Sequence, residues 1–543
     1  MGNTLSAYKK TEHVVNLADG KGAIRGVQYG SKARRYTGVP YALPPTGERR
    51  WRKPCPLPES HIYSDGDGSP FEATEFGPIC AQALNYTSAN KHVPTDILYN
   101  EDCLRLNIWT PVQPAADSKE WPVMLWLHGG WFQMGDPSHE PGMDPTELIS
   151  TGKLNAIVVA IGYRLNLFGF LAGQELRAES ETNEVGNYGL WDQRLAIEWV
   201  HQNISSFGGD PENVTLAGRS AGAYAVHAHA LYEFQNPAAQ ATPPKFQRLV
   251  MMSNAIPTQP KTPDDCQEQF DELCSFFNFS TLPPTSKMSA LRSLTTSQLV
   301  DAIMQLKHHT FRPITDSSFI LPDIMSYHRS GAFARAFQSR GLKLFIGEML
   351  NEETLYAATN SPEGNLDSLR LQVTNYYAPG TTDRILRHYE LPKSSHRQEW
   401  ISLYGRIIAD GQVRAPSRFL ANSLFEHGVS LNDIWRYRIS YRLSFITDKV
   451  APSSFGVAHA MDKPFWNFSI MHGPTDKERV LMERWIRDLV AFVNNESGHE
   501  YGTKSISEFK VATPEGGIEI QEDKRWLDLL QLSEVFFGDE SRS

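Results

Sequence analysis

Residues 213–231, NVTLAGRSAGAYAVHAHAL, constrain the fold more than any other stretch of the chain. An apolar run suited to a buried strand passes through Gly218-Arg219-Ser220-Ala221-Gly222 straight into an Ala-rich helix. A strand can reverse into a helix within so few residues only if the positions two before and two after the apex carry no side chain to collide. Ser220 is therefore expected at the apex, hydroxyl exposed and backbone strained, with the new helix aiming its first N–H groups at any oxygen held there. Other segments supply the frame for such a turn. LRLNIWT (104–110), VMLWLH (123–128) and NAIVVAIGYR (155–164) read as strands, and DQRLAIEWVHQNI (192–204) has a helical spacing of apolar residues. Strands alternating with helices imply a mostly parallel sheet covered on both faces.

The remaining chain is read more coarsely. Residues 1–12 are expected to be a flexible tail. Residues 13–60 read as short strands and turns ending in the Pro-rich GVPYALPPTGERRWRKP. From about 260 to 420 the pattern is helix-rich, interrupted by the strand candidate KLFIG (343–347). DIWRYRISYRLS (433–444) alternates like a strand, and a helix starts near 476 behind the capping pair Thr475 and Glu478. Its Leu481, Trp485, Leu489 and Val493 recur on one face. With no repeat and no low-complexity linker, residues 13–543 are expected to form one domain.

Composition excludes some functions. A formal net charge of −10 argues against a nucleic-acid binder, which would carry a basic face. No run approaches the roughly eighteen continuous apolar residues of a membrane span. The start, MGNTLSAYKKTEHVVNLADG, lacks the apolar core of a secretory signal but matches M-G-x-x-x-[ST], which makes Gly2 a candidate for lipidation. One acyl chain would give weak, reversible membrane contact. A cytoplasmic location is the expectation, with Gly2 as a candidate membrane tether. The five cysteines are odd in number, so at least one thiol is free, and none has zinc-site spacing.

Serine is a poor nucleophile without a base in hydrogen-bond reach. Among 17 histidines, position selects His459, on the loop SSFGVAHAMDKPF between the 433–444 strand and the last long helix. His472 and His499 lack that setting, and His128 reads as structural support. The acid that orients the base should follow a strand between Ser220 and His459, and KLFIGEMLNEETLY offers Glu348, Glu352 and Glu353. Local sequence does not separate Glu352 from Glu353. In LHGGWFQMG (127–135) a strand ends at Gly129-Gly130, where amides can join the Ala221 N–H around one oxygen. Losing one donor of such a hole costs about 3–4 kcal/mol in the transition state.

These motifs, with EDCLRLNIWTP (101–111), YRLNLFGF (163–170) and GNYGLWDQRLAIEWVHQNISSFGGDPENVTLAGRSAG (186–222), resemble those of the type-B carboxylesterase and cholinesterase family, most nearly its fungal carboxylesterase-like members. The resemblance implies an α/β-hydrolase fold: a large, mostly parallel central sheet flanked by helices, with helical insertions at 255–420 forming a gorge. It points to Glu352, five residues after the strand-end Gly347, as the acid. It implies that Gly130, Trp131 and Ala221 supply the oxyanion hole, that Cys80 pairs with Cys103 and Cys266 with Cys274, and that Cys55 is free. The activity implied is hydrolysis of a small-molecule carboxylic ester, such as one on a specialised metabolite, through an acyl-enzyme and without metal or cofactor. A lactone, thioester or amide substrate, and a non-catalytic binding role, are the alternatives. Three departures matter. Trp131 stands where the family has a third glycine, and Arg219 where it has Glu. Residues 81–102 lack the Trp that stacks on choline. The cysteine pairs match secreted relatives, and sequons occur at Asn85, Asn203, Asn213, Asn278, Asn467 and Asn495, so secretion stays open as a second location. Asn213, on the strand before the serine, reads as structural.

Overall fold

The computed structural model describes residues 7–83, 99–113, 120–138, 144–180, 185–468 and 473–538. Gly2, Asn85 and His472 lie outside them. A 13-stranded sheet organises the molecule. Its middle strands are parallel, in the spatial order Ile157–Ile161, Trp121–Leu127, Gly209–Arg219, Arg248–Met252, Lys343–Met349, Ile434–Ile439 and Glu508–Ala512. Antiparallel strands extend both ends, through Arg105–Pro111, Ala33–Pro40, Ala23–Tyr29 and Lys10–Asn16 on one side and Ile518–Glu522 on the other.

Successive residues of the middle strands enter opposite cores, as the period of two requires. Leu125, Val159, Leu216, Met251 and Ile346 join one cluster, while Met124, Trp126, Val158, Val250 and Phe345 join the other. Both faces are covered, so these strands read as continuous apolar runs without alternation. The helices Tyr188–Asn203 and Ala221–Gln235 pack on the first face, and Asp476–Val493 on the second. The last has the expected capping box between Thr475 and Glu478, and Leu481, Trp485, Leu489 and Val493 are all buried.

The chain order across the sheet reverses at Trp121–Leu127. From there it runs outward to Ile157–Ile161 and then returns to Gly209–Arg219 on the other side. Loops leaving the carboxyl ends of strands on either side of such a reversal diverge and leave a crevice. The loop after Leu127 and the turn at Ser220 flank this one.

Two expectations need correction here. The N-terminal tail ends earlier than residue 12: Lys10–Asn16 is an edge strand, paired antiparallel with Ala23–Tyr29. Only Val15 of that strand is buried, so hydrophobic patterning could not reveal it. The strand expected at 433–444 stops at Ile439, and its alternation does not place polar residues in water. Arg436 is buried, donating to the Ile506 carbonyl at 2.6 Å and the Asp523 carboxylate at 3.1 Å.

Candidate active site

Ser220 occupies the apex of the turn with φ 55° and ψ −124°. Its N–H donates to the Met252 carbonyl at 2.7 Å, and its carbonyl accepts from Tyr224 at 3.0 Å, which fixes the turn between the neighbouring strand and the first helical turn. Both glycines of the motif are sterically required. A Cβ on Gly218 would lie 2.4 Å from the Gly222 backbone, and one on Gly222 would lie 2.0 Å from the Leu127 carbonyl oxygen. Positive φ at a non-glycine residue is strain that persists where surrounding structure enforces it.

The loop after Leu127 lies against this apex. A Cβ on Gly129 would come within 3.1 Å of Ser220 Cβ. Gly130, Trp131 and Phe132 all have positive φ, at 115°, 58° and 65°, which turns consecutive amides in one direction. The N–H groups of Gly130 and Ala221 have no internal acceptor among the described residues. Buried side chains hold the loop. Gln133 donates to the carbonyls of Trp131 and Phe311 and accepts from the Phe311 N–H at 3.0 Å. Asn166 receives a second tether, its N–H donating to the Phe132 carbonyl at 2.6 Å. Gln82 makes two hydrogen bonds to the backbone of Gly135. His128 takes the structural part expected of it, stacked on Tyr163 at 4.3 Å with its pKa pushed down to about 4 by burial.

The acid and base come from adjacent strand ends. Glu352 is fully buried just beyond Lys343–Met349, and its Oε1 accepts from the Met349 N–H at 2.7 Å. Its Oε2 lies 2.5 Å from His459 Nδ1. The loop carrying His459 is stitched to Asn351: the Asn351 N–H donates to the Val457 carbonyl, and the Val457 N–H donates to Asn351 Oδ1, each at 3.0 Å. Tyr356 packs its ring 5.1 Å from the imidazole. The other ring nitrogen, Nε2, is buried and has no hydrogen-bond partner among the described residues. No hydrogen bond joins it to the Ser220 hydroxyl among the described residues; such contacts often tighten only when substrate binds.

The three acids of this segment thus have separate environments. Glu352 holds the imidazole. Glu353 pairs with Arg414, and Glu348 is clamped by Arg418 and Arg438. His499 bonds Asp488 at 2.8 Å, elsewhere in the fold.

Several residues at the site were not singled out from the sequence. Gln133 lay within the quoted LHGGWFQMG motif, but nothing local marks its side chain as the clamp of the loop. Asp462 is fully buried, accepts from Trp466 Nε1 at 2.7 Å, and leaves its Oδ1 without a partner among the described residues. Burial raises its pKa, and the positive charge of Arg219 opposes that rise. Arg219 is itself buried, and burial lowers its pKa while Asp462 offsets the loss. The cation that departs from the family pattern therefore faces a carboxylate.

Cys80 and Cys103 form a disulfide with Cα atoms 5.0 Å apart. The expected bridge between Cys266 and Cys274 is absent; both are buried thiols, and Cys55 is also free. Cys266 caps the helix Gln267–Phe276 and Cys274 lies within it, eight residues along. At 1.5 Å rise per residue they stand about 12 Å apart, far beyond disulfide reach. Burial pushes their thiols up to about 11 and about 12. The structural reading of Asn213 holds, since its side chain accepts from Arg248.

The sequence signature of the carboxylesterase family matches residues 11–533. An uncharacterized esterase/lipase of Schizosaccharomyces pombe is 36% identical over 504 residues, covering 91% of this chain and 90% of the relative. A carboxylic ester hydrolase of Gibberella moniliformis is 34% identical over 540 residues, covering 96% of each. The para-nitrobenzyl esterase of Bacillus subtilis is 33% identical over 348 residues, 62% of each chain. A strained serine between two obligatory glycines, a carboxylate-bound imidazole and a match across nearly the whole length lead to one conclusion: the chain belongs to the carboxylesterase family, with its α/β-hydrolase fold.

Proposed function

We propose that this protein is a carboxylesterase that hydrolyses small-molecule carboxylic esters through an acyl-enzyme on Ser220, with His459 as general base and Glu352 as its orienting acid. The Glu352–His459 pair carries the reading, because it holds the imidazole with its other nitrogen buried and without a partner among the described residues. In the first half-reaction the Ser220 oxygen bonds to the ester carbonyl carbon as His459 Nε2 takes its proton. The carbonyl oxygen becomes an oxyanion held by the amides of Gly130, Trp131 and Ala221. The tetrahedral adduct collapses, the bond to the alkoxy oxygen breaks, and His459 returns the proton to the leaving alcohol. Water then attacks the acyl-serine with His459 again as base, and the acid departs as the Ser220 hydroxyl is restored. The Glu352 carboxylate keeps the proton on Nδ1 and stabilises the imidazolium in both halves. Asp462 supports the same charge state by offsetting Arg219, which would otherwise disfavour an imidazolium nearby.

Replacement of Ser220 by Ala should abolish turnover of p-nitrophenyl butyrate and labelling by a fluorophosphonate probe. Full residual turnover would remove the nucleophile assignment, and a folded wild-type protein that neither labels nor turns over would favour a binding role. We also propose a cytoplasmic location, with Gly2 as a candidate for acylation; intact-mass analysis of native material tests the acylation through a mass increment of one acyl chain.

A further inference from the structure

We propose that the site recognises esters carrying a second, ionised carboxyl group, held by Lys261 and Arg312 in a pocket beside the reacting serine. This inference rests on the carboxylesterase reading above and extends it to substrate class. The two cations line one narrow cleft of about 20 Å³, partly open to solvent, together with Tyr224, Asn375, Tyr376 and Gln412.

The lining of the cleft is linked to the nucleophile turn through Tyr224 and to the oxyanion loop through Tyr376, which hydrogen-bonds the Trp131 side chain. Tyr224 follows Ser220 by one helical turn. The Arg312 guanidinium lies 5.7 Å from its ring and 5.9 Å from the ring of Phe132, which follows Trp131 in the oxyanion loop. On its other side stands Tyr376, at 4.9 Å.

No ion pair joins Lys261 or Arg312 to a carboxylate among the described residues. Arg312 donates to Gln412 Oε1 at 2.8 Å, a neutral acceptor. Asp265 and Glu268, the acids on the Lys261 side, are exposed, and Asp265 already accepts from the N–H and hydroxyl of Thr262. Burial lowers the pKa of Lys261, with Cys266 and Asp265 opposing the fall and Arg312 adding to it. Two like charges lining one half-dry cleft repel each other, and an anion held there relieves that repulsion. A carboxylate suits the place, since guanidinium and ammonium both form charge-assisted hydrogen bonds to it.

The test compares matched esters at low ionic strength. 4-Nitrophenyl hydrogen glutarate against 4-nitrophenyl pentanoate puts the charge on the acyl side; 4-acetoxybenzoate against phenyl acetate puts it on the alcohol side. The charged member of at least one pair should have the higher kcat/KM by about 10–100-fold, the range of a desolvated charged hydrogen bond. Lys261→Met and Arg312→Met should erase that preference while leaving the neutral esters within a few-fold, and Lys261→Arg should restore part of it. Calorimetric titration with glutarate reads the pocket independently of turnover, and binding should weaken at least tenfold in Lys261→Met. Neutral esters turned over with no preference for either charged partner, or glutarate binding indifferent to Lys261, would overturn the pocket and leave the esterase reading intact. Glutarate binding through Lys261 in a protein that hydrolyses no ester would do the reverse.

Discussion

Two carboxylates four residues apart, Glu348 and Glu352, sit in opposite kinds of surroundings. Glu348 ends inside the strand Lys343–Met349 and joins a buried charge cluster. Arg418 grips it in a two-pronged contact, and Arg438 donates from Nε and Nη2 at 2.9 and 2.7 Å. Asp523 links Arg418 to Arg436, whose guanidinium lies between the rings of Phe509 and Trp526 at 4.3 and 4.4 Å. Among the described residues Glu352 has no arginine in its hydrogen bonds, which go to one backbone amide and one imidazole. The first carboxylate is saturated with permanent cations and binds elements of the sheet together. The second meets a partner whose charge appears only when a proton arrives. Burial alone does not distinguish structural from chemical acids here; the identity of the partner does.

The largest expected effect follows from the second environment. Glu352→Gln keeps the volume and the amide contact but cannot stabilise an imidazolium. We expect kcat on p-nitrophenyl butyrate to fall by about 10³–10⁴-fold, by analogy with loss of the acid in other serine triads. The thermal midpoint should change little. A fall of less than tenfold would show that the imidazolium is stabilised by another group.

Glu348→Gln inverts the pattern. Breaking one side of a buried ion pair leaves uncompensated charge and costs about 3–5 kcal/mol. We expect a drop of that order in unfolding free energy, with kcat/KM of the folded fraction within about threefold of wild type. Its pH dependence has a definite sign. Burial disfavours the Glu348 carboxylate, but Arg418 and Arg438 outweigh it and hold the carboxyl well below its ordinary range. A group depressed on folding contributes stability above its unfolded pKa and loses it as pH falls toward the folded one. Wild-type stability should therefore decline from about pH 5 downward, and the variant should show a shallower decline in denaturant titrations. Equal slopes would mean that Glu348 titrates alike in both states.

A smaller effect tests the charge beside the imidazole. Asp462→Asn removes the carboxylate that faces Arg219 and the triad. The imidazolium then loses a favourable neighbour, so the acid limb of the kcat/KM profile should move to lower pH and kcat should fall about tenfold. Arg219→Gln in the same chain should recover much of the loss, because the two charges offset each other. Additive single-variant effects would deny that coupling.

Much of this arrangement was legible before the structure, for identifiable reasons. The turn at Ser220 is written in steric terms, two glycines around an apex, where a Cβ on either would sit only 2.0–2.4 Å from backbone atoms. The histidine loop follows from chain order. The acid was legible to within two neighbours, and only likeness to a family separated them, because the difference between Glu352 and Glu353 lies in partners more than sixty residues away. The same limit hid Lys261 and Arg312, lone cations on irregular segments far apart in the chain. It hid the hairpin Glu508–Ala512 with Ile518–Glu522 as well, where the second strand is almost entirely exposed and carries no apolar pattern. The cysteine error is different in kind. Residues 266 and 274 are close in sequence, and the resemblance supplied the pairing, but a helix between them makes that proximity misleading.

The smallest effect gives the sharpest test of the comparison. Glu353 immediately follows Glu352, opens the same helix, Glu352–Ala357, and bonds Arg414 at the edge of the site. Its side chain is 31% exposed, so solvent screens that pair, and partly exposed ion pairs contribute roughly 0–1 kcal/mol. Arg414 also retains Asp410, at 3.1 Å, when Glu353 is neutralised. Glu353→Gln should therefore lower the thermal midpoint by no more than about 2 °C and leave kcat within about twofold. Measured beside Glu352→Gln under one set of conditions, it isolates the imidazole contact from every property the two neighbours share: helix, charge and carboxylate chemistry. If the Glu353 variant lost as much activity as the Glu352 variant, the catalytic requirement would be for negative charge at this helix start, and the 2.5 Å contact to His459 would not be what sets the rate.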